Sequence, residues 1–278
     1  MAYGFTLDQV RHTNRPAPHQ KHWGSITSLT EMSEYAIGRM EIAAGGTQQL
    51  HFFTSPYQAF VESGSVVVRS LDAAGNEHSG VVNSGQALSL PKYFVHGFSS
   101  DQGAVVYIFG PHTADRFEAL YAESEEAAKA STVLLHAVSM QQLGQPTTDA
   151  REKYWGRIET ILSGDVAAKR IFVKKGGQSS LEYHVEKCES YYIHSGLLRV
   201  GLRTGRAENH SIVMKAGESY DVRPGVMHMR MGLEDTVILE VSTRDSDADS
   251  YLVEDGQSYQ HMDADFDSAT TEELEQPK

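Results

Sequence analysis

Residues 153–161, KYWGRIETI, restate residues 21–29, KHWGSITSL, and the offset between them runs through the chain. Gly64 returns as Gly196, Gly85 as Gly217 and His96 as His228, each 132 residues later. His51 and His184 miss that step by one residue, which a single insertion in the loop before the second histidine accounts for. A period this long is a whole small domain, not a solenoid unit. A tryptophan, several glycines and a histidine in one register point to a tandem duplication, and therefore to two domains.

Working outward from the repeat, each half reads as strands. EYAIGRMEIA, QAFVESGSVVVRSL, QALSLPKYFVHGF and AVVYIFG are rich in valine, isoleucine and aromatics and are separated by turn residues such as GG, SG and AAGN. AAKRIFVKK, SYYIHSGLLRVGL, ESYDVRP and VILEVS repeat the series in the second half. Short strands every ten residues or so, broken by glycine, predict an all-β antiparallel barrel or jelly roll in each half. Between the halves, ADRFEALYAESEEAAKASTVLLHA has alanine, glutamate and leucine at helical spacing, so a helical linker is expected over 113–150. The expected divisions are a first barrel at 1–112, the linker, a second barrel at 151–256, and a tail at 257–278 that is acidic and expected to be disordered.

Composition narrows the function. The chain has 278 residues, 40% of them hydrophobic, enough for two ordinary cores. A net charge of -13 repels a phosphate backbone or an anionic membrane, so neither nucleic acid nor membrane is an expected partner. The single cysteine, Cys188, rules out a disulfide framework within the chain and suits a reducing compartment. The start, MAYGFTLDQV, has no basic and apolar leader pattern, and a cytoplasmic location is expected.

Chemistry concentrates in GGQSSLEYHVEKCESYYIHSG, residues 176–196. Glu182, His184 and Glu186 occupy alternate positions, which on a strand share one face. Glu189 follows, and RPGVMHMR adds the distant His228. Imidazoles and carboxylates are the ligands of a divalent first-row metal, and such groups converging inside a barrel are costly to bury unless a cation sits among them. The first half keeps Gln49, His51 and His96 as a possible second site, but Phe53 stands at the second ligand position and Tyr57 or Gln58 where the glutamate belongs. An aromatic there fills space by packing, so a structural or substrate-covering role is expected of that half. Trp23 and Trp155 are expected at the barrel edges in the core, and Cys188 as a small packed residue.

The order His-x-Glu-x-x-Glu, a glycine after six intervening residues, and then Gly-x-x-His in GVMH resembles the two cupin motifs. More closely, YWG, the motif itself, GES, PGVMH, EVS and YLVEDG resemble the type II mannose-6-phosphate isomerase cupin over about 153–256, with a weaker copy over about 20–112. The resemblance implies a bicupin fold and a metal held by His184, Glu189 and His228. Glu186 replaces the family's usual second histidine and is counted with the metal ligands, while Glu182, in place of the family's glutamine, is a fallback ligand.

Three functions follow as expectations. The first is an isomerase or epimerase using one divalent transition metal (Fe, Mn, Zn, Ni or Co) on a sugar, sugar phosphate or similar small polar or anionic substrate. Arg230 would hold the anion, with Lys169 and Arg170 as weaker candidates, and Tyr191 would act as an acid. The second is a non-haem iron dioxygenase with His184, Glu186 and His228 as its facial triad. The third is a non-catalytic ligand-binding bicupin. A homodimer is expected from packing between cupin sheets.

Overall fold

A computed structural model of the chain describes residues 13–30, 32–71, 76–112, 120–121, 140–141, 150–206 and 209–256. Most of the expected helical linker and the whole acidic tail lie outside these residues. At the two described points within 113–149 the chain is extended, not helical: Leu120–Tyr121 pairs with His51–Phe52, and Met140–Gln141 pairs with the strand Ala87–Leu90.

The chain forms two compact units, one spanning Pro16–Thr148 and the other built on Asp149–Lys278 together with Met1–Arg15. The first boundary therefore falls at Arg15/Pro16, not at the first residue. Asn14 accounts for this: its N–H and carbonyl exchange two 2.8 Å hydrogen bonds with the backbone of Ser219, adding it to an edge of the second unit's sheet.

Both units are antiparallel jelly rolls, and the repeat is visible in their pairing. In the first, Tyr35–Ile42 pairs with Ala104–Pro111, which pairs in turn with the long strand Tyr57–Leu71. That strand runs through both layers, its first part beside Ala87–Leu90 and its second beside Glu77–Asn83 and His96–Ser100. In the second unit the equivalent strand divides at Gly196 into Glu189–Ser195 and Leu197–Thr204, and two separate sheets result. One layer includes Val166–Val173, Thr236–Thr243, Glu189–Ser195 and Ser219–Val222. The other runs His210–Lys215, Leu197–Thr204, Val226–Gly232, Leu181–Tyr183 and Tyr251–Glu254. Alternating apolar residues of the two layers meet between them, around Ile171, Ile193, Val200, Leu202 and Ile238 in the second unit and Met40, Val61, Val68 and Ile108 in the first.

The Trp-Gly pair that announced the repeat has a packing reason. Trp23 and Trp155 are buried in their respective cores. The glycine beside each lies against the neighbouring strand, where an added Cβ would stand 1.9 Å from the Glu41 carbonyl oxygen at Gly24 and 1.8 Å from that of Phe172 at Gly156. Only glycine permits this approach.

Candidate metal centre

The site is assembled from three places in the second barrel. Leu181–Tyr183 and Val226–Gly232 are neighbouring strands with Glu182 directly opposite His228. Glu189 opens the strand of the opposite layer. One ligand atom from each of Glu182, His184 and His228 lies within 4.8 Å of the others. Glu189, 1% exposed, places Oε1 2.8 Å from His228 Nε2 and Oε2 3.6 Å from His184 Nε2.

Both imidazoles are prepared as ligands. His184 Nδ1 is 2.8 Å from the Asp249 carbonyl and His228 Nδ1 is 3.0 Å from that of Val226. A carbonyl can only accept, so each Nδ1 carries a proton and each Nε2 is turned toward the carboxylates. Both Nε2 atoms are buried: that of His184 lacks a hydrogen-bond partner, that of His228 meets Glu189 Oε1, and the rings stand 5.4 Å apart between centroids. Two converging buried imidazoles beside carboxylates suit a cation, and backbone-anchored histidines are the usual arrangement at metal sites. The donor set fits one divalent ion.

Glu186 does not join this group. The chain leaves the strand after Tyr183 and bends, so the alternation that put Glu182, His184 and Glu186 on one face ends there. Glu186 is exposed, and its backbone N–H is bound by the Asp249 carboxylate. The register supplies the reason. Phe109 pairs with Gln58 as Val241 pairs with Ser190, so Tyr57 is the counterpart of Glu189. Five residues separate His51 from Tyr57, but only four separate His184 from Glu189. The one-residue shortening turns Glu186 outward and Lys187 inward. Lys187, which sequence reasoning passed over, is 5% exposed with Nζ 2.6 Å from Glu189 Oε2. Only that loop-length difference marked it in the sequence.

The surroundings form a dense charge network. Lys187 Nζ also lies 3.6 Å from Glu240 and 3.3 Å from Asp245, and Lys169 Nζ lies 3.3 Å and 2.7 Å from the same two carboxylates. Burial alone would raise the Glu189 carboxyl, but Lys187, then His228 and His184, hold it well below the carboxylate range. Burial likewise opposes the charge on Lys187, yet Glu189, Glu240 and Asp245 keep its ammonium charged beyond the ordinary lysine range. Arg230 is an internal counter-ion, not a free anion holder: Nη1 is 2.8 Å from Glu240 and Nη2 is 3.0 Å from Glu182. Tyr191 is fully buried and donates its hydroxyl to Glu189 Oε1. Arg170, the other weaker candidate, pairs with Glu159 at 3.0 Å.

A polar cavity of about 190 Å³ opens on the site, lined by Glu182, His184, Lys187, Arg230, Lys169 and Trp155, with Arg151 and Lys153 also on its wall. In the first barrel His51 and His96 also meet, with ring centroids 4.5 Å apart and Nδ1 atoms held by the carbonyls of Gln49 and Phe94. Among the described residues no carboxylate is grouped with them. Phe53, Tyr57, Phe94 and Phe98 pack there instead, and Gln49, the expected third ligand, is exposed.

No protein-family model and no curated protein matches the chain. Solved structures do. The chain resembles Bacillus subtilis oxalate decarboxylase, a protein with Mn(II) centres, at 15% identity and a TM-score of 0.68 over 91% of this chain and 81% of that one. It also resembles the formate complex of Lactobacillus farciminis oxalate decarboxylase, at 17% identity and a TM-score of 0.62 over 86% of each chain. At such identities the likeness is one of fold. The fold is a tandem pair of jelly rolls, with a His/Glu group in the second barrel able to hold one metal ion. The finer likeness to type II mannose-6-phosphate isomerases rests on the motif alone.

Proposed function

We propose that the chain is a metal-dependent enzyme whose second barrel transforms a small polar or anionic compound, moving a proton at a carbon beside a carbonyl as an isomerase or epimerase does. The observation that carries this is the buried pair His184 and His228, whose Nε2 atoms converge with carboxylate oxygens of Glu182 and Glu189 beside a polar cavity that Glu182 and His184 line. A bound divalent ion would polarise a carbonyl or hydroxyl oxygen of the substrate. The chain's own groups supply the rest. Arg230 and Ser250 hold the Glu182 carboxylate from two sides, at 3.0 Å and 2.8 Å. Burial would raise that carboxyl, but Arg230 and His228 keep it below its usual value, so it stands ionised at the cavity wall. Tyr191 orients Glu189 rather than meeting substrate. A cavity of about 190 Å³ suits a compound of few carbons better than a bulky sugar phosphate.

A second reading is decarboxylation of a small carboxylate. It is supported by the fold shared with oxalate decarboxylases and by Arg151 and Lys153, both exposed, on the cavity wall. One experiment separates these readings. Protein reconstituted with Mn(II), Fe(II) or Zn(II) is incubated anaerobically in D2O with small hydroxy-aldehydes, hydroxy-ketones and their acids, and with oxalate in parallel, and products are followed by NMR. Interconversion with deuterium uptake, lost in His228→Ala, supports the isomerase; formate from oxalate supports the decarboxylase. Turnover that strictly requires dioxygen means an oxygenase, and tight binding without turnover means a binding protein.

A further inference from the structure

The cupin-like loop of the second barrel is one residue shorter than its counterpart in the first, and the consequence is chemical. Where Phe53 packs against the two histidines of the first barrel, at 5.4 Å from each ring, the second barrel points an ammonium group inward. A protonated amine has no lone pair and cannot ligate a cation. It can act on a ligand. Lys187 Nζ occupies one oxygen of Glu189, Oε2, at 2.6 Å, while Oε1 faces His228 Nε2 at 2.8 Å and receives the Tyr191 hydroxyl. The buried network then holds four carboxylates (Glu182, Glu189, Glu240, Asp245) against three cations (Lys169, Lys187, Arg230).

We infer that Lys187 is a positioning residue that restricts Glu189 to a single metal-facing oxygen and weakens the site's hold on a divalent ion by keeping the cluster near neutral. The inference rests on the metal-binding reading above. Its physical basis is the strength of charge interactions in a buried setting, where an ammonium in contact with a ligand carboxylate is screened little by water. A site so built discriminates against ions that demand two oxygens from one carboxylate.

The test is Mn(II) affinity, by EPR of the free ion, in the parent and in Lys187→Met and Lys187→Arg, with thermal unfolding measured alongside. Lys187→Met is expected to bind Mn(II) at least about tenfold more tightly, because the cluster gains one net negative charge and Glu189 gains a free oxygen. Lys187→Arg, which keeps the charge, should bind like the parent. Unchanged or weaker binding in Lys187→Met overturns the inference while leaving the metal site standing. Should Lys187→Met not fold, Lys187→Met/Glu240→Gln restores the charge balance: affinity equal to or above the parent's supports the inference, and a tenfold loss overturns it. A parent that binds no Mn(II), Fe(II) or Zn(II) overturns the metal reading, and the inference with it.

Discussion

His184 and His228 each commit Nδ1 to a backbone carbonyl and direct Nε2 at the Glu189 carboxylate, at 3.6 Å and 2.8 Å, an arrangement that suits a cation. His184→Ala or His228→Ala should therefore lower metal affinity by more than about 100-fold, exceeding the effect usual for groups one step removed from the ion. Glu186→Ala, by contrast, should leave the affinity unchanged, because that side chain is exposed. Metal content after dialysis at a fixed free-ion concentration distinguishes the two. Arg230 has a different role from the anion holder its position suggested. Arg230→Ala leaves Glu240 and Glu182 with one cation fewer in a buried site, and a loss of about 3–5 kcal/mol in unfolding free energy of the second unit is expected, read from denaturant unfolding.

At the scale of elements, the bend from Val185 to Lys187 has no strand partner and is held by one side chain. The Asp249 carboxylate accepts the N–H groups of Val185, Glu186 and Lys187, at 2.8 Å, about 3.1 Å and 2.8 Å, while its own carbonyl takes His184 Nδ1. This short turn thus orients a candidate ligand and the bend that turns Lys187 inward. Asp249→Ala should reduce metal affinity about 10- to 100-fold while the barrel stays folded, which circular dichroism and metal titration check together. The paired strands set a different constraint at the repeat's glycines. In Gly156→Ala the new Cβ would meet the Phe172 carbonyl oxygen at 1.8 Å, so the strands Gly156–Leu162 and Val166–Val173 must part locally. A loss of at least about 2 kcal/mol is expected, with faster amide exchange along both strands.

Across the whole molecule, the two barrels have diverged in how they treat buried histidines. In the first, burial lowers the His51 imidazole and holds His96 well below its ordinary value of 6.5, with His51 adding to the effect on His96. A histidine whose folded pKa is depressed binds protons more readily when unfolded. Its stabilising contribution is therefore complete above about pH 6.5 and is lost as pH falls toward the folded value. Amide exchange in peptides of the first barrel should accelerate as pH falls from 7 to 5, after correction for intrinsic rates, and His96→Leu should flatten that dependence. A pH-independent exchange pattern would contradict it.

The sequence by itself determined the duplication and the jelly-roll class, and it singled out His184, Glu189 and His228 as candidates, because repeat offsets, period-two patterning and turn glycines are local or one-dimensional signals. It also pointed to an aromatic filling for the first barrel, since Phe53 and Tyr57 stand in line with ligand positions. What the tertiary structure decided depends on direction rather than spacing. Strand alternation was carried too far past Tyr183, so Glu186 was expected inside, although the bend held by Asp249, sixty-three residues away, turns it out and brings Lys187 in. Arg230 was expected to hold substrate because its two carboxylate partners, Glu182 and Glu240, lie on other strands. Which charges neutralise one another in a buried network is a property of three-dimensional contact, and no reading along the chain supplies it.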